Sequence, residues 1–181
     1  ALGAAGMAAT AEARMPRFYF DLSKAASAQG KGQTPYTPNV SLVVALQAAL
    51  RLILAEGIAA FQERHRRLAR ACRAAARAAG LELLVSDEGQ ASDVVTAVRS
   101  PVGIDSGAIV KAVAANHGIV ISGGQDELRG KIFRIGHMGA AQLADLVRTW
   151  EAVAVETTSL GYRCSTEECI SAAEAAYGTA H

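Results

Sequence analysis

Between Gly123 and Gly139 the chain reads GGQDELRGKIFRIGHMG, and one arginine, Arg134, stands inside its short apolar run. A guanidinium is charged at any physiological pH, and its planar fork offers two parallel hydrogen bonds that match the shape of a carboxylate. Arginine is rarely buried unpaired, so a guanidinium in such a setting must find an anion. Two partners are open. One is the carboxylate of a bound small molecule, which would make Arg134 a substrate receptor. The other is an internal salt bridge to Asp126, Glu127 or Asp145.

A second candidate lies in Thr34-Pro35-Tyr36-Thr37-Pro38-Asn39. Its two prolines fix φ and remove backbone donors, which makes a rigid turn. Asn39 or Ser41 can cap the helix that follows, and free N–H groups beside the hydroxyls of Thr34, Tyr36 and Thr37 could cradle a phosphate. Ordinary helix capping explains the same residues, and the glycine pattern of known phosphate loops is missing. Lys24 is a third candidate, because lysine can form a Schiff base. It precedes the polar, glycine-containing stretch from Ala26 to Gln33, where an amine stays solvated, whereas a Schiff-base lysine needs a desolvated site.

Other reactive residue types are dispersed. Cys72, Cys164 and Cys169 are odd in number and have no CxxC spacing, and the four histidines are scattered. Neither a disulfide framework nor a zinc site is encoded, and the expected compartment is a reducing cytoplasm. Lys+Arg of 18 against Asp+Glu of 17 gives a net charge of +1. No obligate attraction to nucleic acid or to an anionic membrane follows from that balance. The apolar runs are too short or too interrupted for a membrane span, so a soluble protein is expected.

These residues need elements to position them. At 181 residues the chain can form one domain with a real core, or a domain with appendages. Ala1 to Arg14 reads as a helix stopping before Pro16, and Arg17-Phe18-Tyr19-Phe20-Asp21 as an aromatic anchoring point. From Asn39 or Val40 a helix carries Leu42, Val43, Val44, Leu46, Leu50, Leu52, Ile53 and Leu54, apolar nearly all round, which predicts cover on more than one side. After a break at Gly57 a second helix runs to Gly80. Its expected buried stripe is Ile58, Phe61, His65, Leu68, Cys72, Ala75 and Ala79, with Arg66, Arg70, Arg73 and Arg77 on a neighbouring solvated face. His65 and Cys72 read as packed core residues. Strands are expected at Leu81 to Val85 and Val94 to Val98, paired as a hairpin, at Ile119 to Ile121, and around Arg134. Helices are expected from Asp105 or Ser106 through Ala115 and from Gln142 to Val155, with another in the tail from Gly161 to His181.

This order of elements, together with RFYFDL at 17 to 22, QTPYTPNVSL at 33 to 42, the helix break at Glu56-Gly57, VISGGQ at 120 to 125 and KIFRIGHMG at 131 to 139, resembles the C-terminal part of class V aminotransferases of the alanine-glyoxylate and serine-pyruvate type. Beyond about Glu156 the resemblance fades. It implies an α/β (α+β) fold: a small C-terminal domain with a mainly antiparallel sheet of three or four strands packed on helices, preceded by a long broken helix. The expected divisions are an interdomain segment over 1–38, the small domain over 39–156 and a helical tail over 157–181.

The resemblance further implies a transaminase that uses pyridoxal phosphate on small amino acids and 2-oxo acids. Its Schiff-base lysine would lie on an upstream domain, since Lys24 follows the RFYFDL segment where the family's lysine precedes it. Arg134 would bind the substrate α-carboxylate. Thr34, Tyr36 and Thr37 would reach the cofactor phosphate of a neighbouring subunit, in a homodimer or in a complex with a complementing N-terminal chain. No metal, nucleic acid or membrane enters this expectation. The alternative is a non-catalytic α/β interaction module derived from such an enzyme.

Overall fold

A computed structural model describes residues 2–179. The chain divides by compactness into two units, Ala1–Ala55 and Glu56–His181, the division falling at the end of the long apolar helix. Ala1, Ala180 and His181, where the first and last expected helices were drawn to begin and end, lie outside the described residues.

The first unit holds α1 (Ala4–Glu12), α2 (Leu22–Gln29) and α3 (Val40–Glu56), and none of the three has a buried residue. Asp21 caps α2 by accepting from the N–H groups of Ser23 and Lys24 at 3.0 and 3.1 Å. That helix was not expected, because its Ser, Ala and Gln residues form no apolar periodicity. The aromatic segment anchors the Pro-rich turn as its composition suggests: Tyr19 stacks on Tyr36 with centroids 4.7 Å apart, and Tyr36 donates to the Phe18 carbonyl at 2.7 Å. On α3 the side chains of Leu42, Val43, Val44, Leu46, Leu52 and Leu54 are all exposed.

In the second unit α4 (Ile58–Ala78) is the spine. It ends where the sequence places a stop. Gly80 takes φ 72°, and the N–H groups of Gly80 and Leu81 close back on the carbonyls of Arg77 and Ala76. This is the paired-bond termination that a left-handed glycine permits. The sheet follows with β1 (Val95–Arg99), β2 (Ser122–Gly123) and β3 (Ile132–Gly136), all antiparallel in the order β1-β3-β2. Helices α5 (Ser106–His117), α6 (Leu143–Ser159) and α7 (Thr166–Gly178) complete the unit. Asp105 caps α5, and α6 runs unbroken through the point at which the sequence resemblance fades. The carboxylate of Glu156 on α6 accepts from Asn116 at 3.0 Å and from His117 at 2.8 Å, tying α5 to α6.

The core of this unit joins Leu68, Cys72 and Ala75 of α4 to Val98, Phe133, Ile135, Ile109 and Trp150. Phe133 meets Trp150 edge-on at 6.5 Å.

Three expectations are corrected. The stretch Leu81 to Val85 is not a full strand. It touches β1 through a bridge at Leu83 and Val98, with the Leu84 N–H on the Ala97 carbonyl at 2.9 Å. The strand expected at Ile119 to Ile121 forms instead at Ser122–Gly123, since Ile121 turns into the core while Val120 is exposed, and only the next two residues reach β3. Arg73 is not on a solvated face: it is 6% exposed and paired with Glu88 at 2.9 Å. It lies between Ala69 and Ala76, whose small side chains widen the buried stripe, while Ile58 at the opposite end of α4 is exposed.

Trp150 is fully buried. Trp150→Ala is therefore expected to lower stability by about 3–5 kcal/mol, while Val102→Ala on the surface changes it by less than about 0.5 kcal/mol. Urea denaturation of the two variants checks this, and equal midpoints would contradict the assignment of Trp150 to the core.

Candidate carboxylate-binding site

Side chains alternate along a strand. With Phe133 and Ile135 pointing into the core, Arg134 between them is thrown to the opposite face of β3. In the strand register its direct neighbours are Ala97 on β1 and Ser122 on β2. Both are small, so the half-buried guanidinium is flanked but not covered. Its Nε donates to the Gly123 carbonyl at 3.0 Å, which fixes the plane of the fork.

Among the described residues no carboxylate lies within salt-bridge distance of Arg134. The three internal partners considered above are placed elsewhere. Asp126 and Glu127 form an exposed 3-10 turn, Asp126–Leu128. Asp145 accepts from the Gln142 N–H at 2.9 Å at the start of α6. The terminal nitrogens of Arg134 thus make no hydrogen bond within the described residues, and the group they suit chemically is a planar anion.

Two glycines set the neighbouring backbone. Gly123 supplies the carbonyl that orients the fork. A Cβ on Gly124 would overlap the Leu128 carbonyl oxygen, so the chain can fold back toward β3 only if that position is bare. The segment beyond β3 is held from beneath by two histidines. The Nε2 of His65 accepts from the Gly139 N–H at 3.0 Å, and its Nδ1 faces the Phe61 carbonyl at 2.7 Å, so the hydrogen sits on Nδ1. His137 is 1% exposed and its Nε2 contacts the Thr96 hydroxyl at 2.9 Å. Sequence reading gave His65 only a packing role and did not single out His137. The available signal for His65 was its polarity on the buried stripe of α4, where a polar group needs a partner; His137, between exposed Gly136 and Met138, carried no such signal.

The turn residues are differently disposed. The Thr34 hydroxyl donates to the Tyr36 carbonyl at 2.7 Å, and the Tyr36 hydroxyl is committed to Phe18. The N–H groups of Val40 and Leu42 are taken up by Pro38 and Asn39. Among the three hydroxyls, that of Thr37 makes no hydrogen bond within the described residues and is exposed. Lys24, Lys31, Lys111 and Lys131 are all exposed, and Lys24 sits 4.8 Å from the Phe18 ring. These residues do not by themselves compose a cofactor site, because the site offers no desolvated amine and most of its donors are already used.

A short antiparallel sheet of three strands backed by helices matches the C-terminal domain of aminotransferases of known structure. No protein-family model matches the chain. Sequence comparison finds the "Soluble hydrogenase, small subunit" of Synechococcus sp. (strain PCC 6716), 41% identical over 150 residues, which are 83% of this chain and 38% of that protein. The L-aspartate–glyoxylate aminotransferase of Paracoccus denitrificans is 39% identical over 134 residues, 74% of this chain and 34% of that one. Among solved structures, ureidoglycine-glyoxylate aminotransferase from Bacillus subtilis superposes with a TM-score of 0.85 at 28% identity, covering 97% of this chain and 46% of that one. The chain belongs to the class V aminotransferases. It spans well under half the length of the curated relatives it matches.

Burial, with the nearby Arg73 charge second, pushes the His137 imidazole down to about 4. An unfolded histidine titrates near 6.5, so the unfolded chain takes up this proton first as pH falls. The contribution is complete above about pH 6.5 and is lost progressively toward pH 4, for a total of about 3 kcal/mol. Chemical denaturation across this window should show the decline, and His137→Gln should flatten it. Equal slopes in the two proteins would contradict the buried, neutral state of His137.

Proposed function

We propose that this chain is the substrate-carboxylate-binding part of an amino-acid:2-oxo-acid transaminase that uses pyridoxal phosphate, with the catalytic lysine supplied by a domain outside these 181 residues. The observation that carries the proposal is the presentation of Arg134: Nε is held on the Gly123 carbonyl, small residues flank it, and its terminal nitrogens have no carboxylate partner among the described residues. The family membership and the exposure of all four lysines support the same reading.

In the proposed enzyme the cofactor, when bound, supplies the electron sink for moving an amino group between an amino acid and a 2-oxo acid. This chain's part is recognition. The α-carboxylate is common to both substrates, so one guanidinium orients donor and acceptor alike. A two-point contact fixes the plane of the carboxylate, which a single charge would leave free to rotate. Of the turn residues, Thr37 is the one whose hydroxyl is free to reach a phosphate, with Thr34 and Tyr36 holding the shape of the turn. The apolar surface of α3 is then an interface in a cytoplasmic assembly, covered by the partner protomer of a homodimer or by a complementing N-terminal chain. Burying each of its large aliphatic side chains contributes about 1.5–3 kcal/mol.

The test is Arg134→Lys in the enzyme that carries the complementary domain. Lysine keeps the charge but loses the planar fork: its three hydrogens are arranged tetrahedrally on one nitrogen and cannot hold the Gly123 carbonyl and meet both oxygens of one carboxylate in parallel. Charge-assisted hydrogen bonds contribute about 1.5–3 kcal/mol each, so kcat/KM is expected to fall about 10- to 100-fold in both half-reactions, with cofactor affinity unchanged. A lower melting temperature with unchanged turnover per folded molecule would assign Arg134 a structural role and overturn the proposal.

A further inference from the structure

Cys164 and Cys169 play no part in the site above, and their placement on either side of the start of α7 brings them together. Ser165 is the N-cap of α7, its side chain accepting from the Glu168 N–H at 3.2 Å. Cys164 therefore precedes the cap and Cys169 is the fourth residue inside the helix, the two positions whose side chains pack on each other across a helix start. Both belong to one cluster: Cys169 is fully buried within it, and Cys164, partly exposed, packs against it. The loop that carries Cys164 is pinned: Tyr162 donates to the carbonyls of Ala79 and Gly80 at 3.2 and 2.9 Å. Cys164 itself donates from Sγ to the Ala154 carbonyl at 3.5 Å, and its N–H reaches the Thr158 hydroxyl at 3.5 Å.

From this juxtaposition we propose that Cys164 and Cys169 form an oxidisable dithiol, in which Cys164 reacts with a hydroperoxide and Cys169 closes a disulfide across the first turn of α7. The division of roles follows from access and charge. Cys164 is the thiol open to solvent, and a hydrogen bond from the Cys169 thiol, with a lesser one from Thr158, favours its thiolate. Cys169 is shifted the opposite way by the same contact, by burial and by the Glu168 carboxylate.

The chemistry balances with hydrogen peroxide as the oxidant. The Cys164 thiolate attacks one peroxide oxygen, the O–O bond breaks, and hydroxide leaves and is protonated to water, with Cys164 now a sulfenic acid. The Cys169 thiol then gives up its proton and attacks the Cys164 sulfur. The S–O bond breaks, and the departing hydroxide takes that proton to become the second water. Two thiols lose two electrons and one peroxide gains them. Cys72 serves as an internal reference, since complete burial pushes its thiol up to about 11.

The sequence makes the test direct. No Lys or Arg follows Arg163, so trypsin releases both cysteines on the single peptide 164–181, separate from Cys72. The chain is treated with hydrogen peroxide, alkylated under denaturing conditions with iodoacetamide and digested. The expected peptide is two hydrogens lighter and carries no alkyl group, while Cys72 is fully alkylated. Cys169→Ser is expected to leave a sulfenic acid on Cys164 that dimedone traps, and Cys164→Ser to abolish the reaction at Cys169. Full alkylation of both cysteines after peroxide, or sulfinic acid on Cys164 with Cys169 alkylated in the unmodified sequence, would overturn the proposal.

Discussion

The site depends on one hydrogen bond, from the Nε of Arg134 to the carbonyl of Gly123 across the β2–β3 pair. A guanidinium in the middle of a strand has rotational freedom about its long stem, and ordering it costs entropy that a ligand would otherwise have to offset. Anchoring Nε on a neighbouring carbonyl meets part of that cost within the fold and leaves the two terminal nitrogens directed outward. The arrangement works because Ala97 and Ser122 are small enough to leave them uncovered. It also requires the chain after Gly123 to turn close beneath the Leu128 carbonyl, which a side chain at position 124 would prevent.

What keeps β3 in place lies on the other side of the sheet. Phe133 and Ile135 bury against Trp150 and the α4 stripe, so that the strand carrying the charge is also the strand most firmly packed. The polypeptide leaving β3 is then tied twice, by His137 against Thr96 and by Gly139 against His65. Both histidines act as neutral hydrogen-bonding groups inside an apolar layer. Truncating His137 would leave the buried Thr96 hydroxyl unsatisfied, a cost of about 1–3 kcal/mol. The core therefore supports the site through packing beneath the strand and through these two polar ties behind it.

Much of this was legible in the residues. Gly80 and Gly118 end helices where their spacing after apolar stripes places them, and Asp105 begins one by capping it. Arg134 stood out because a charged fork interrupts a β-prone run. The parts that were not legible depend on partners distant in the chain. Ile119 to Ile121 has strand composition, but a strand needs an opposing backbone, and β3 offers one only to Ser122 and Gly123. Arg73 looked like its neighbours Arg66, Arg70 and Arg77 until the alanines on either side of it allowed the loop carrying Glu88 and Ser92 to close over that face. The sequence shows the hydroxyls at Thr34 and Tyr36 but not that the turn itself consumes their hydrogens. The carbonyl of Gly123 has no side-chain signature at all.

The central claim is that Arg134 is a prearranged carboxylate receptor, and arginine side-chain NMR on the ¹⁵N-labelled chain tests it most directly. A small 2-oxo acid is titrated in, with its amide as the uncharged control. The account predicts that the Arg134 Nε–H is slow to exchange before any ligand is added, and that its terminal nitrogens shift with the acid but not with the amide. Exposed Arg66 and Arg129 serve as references for nonspecific effects of ionic strength. An Nε–H that exchanges as fast as theirs, with Arg134 signals that move no further than theirs on titration, would contradict it.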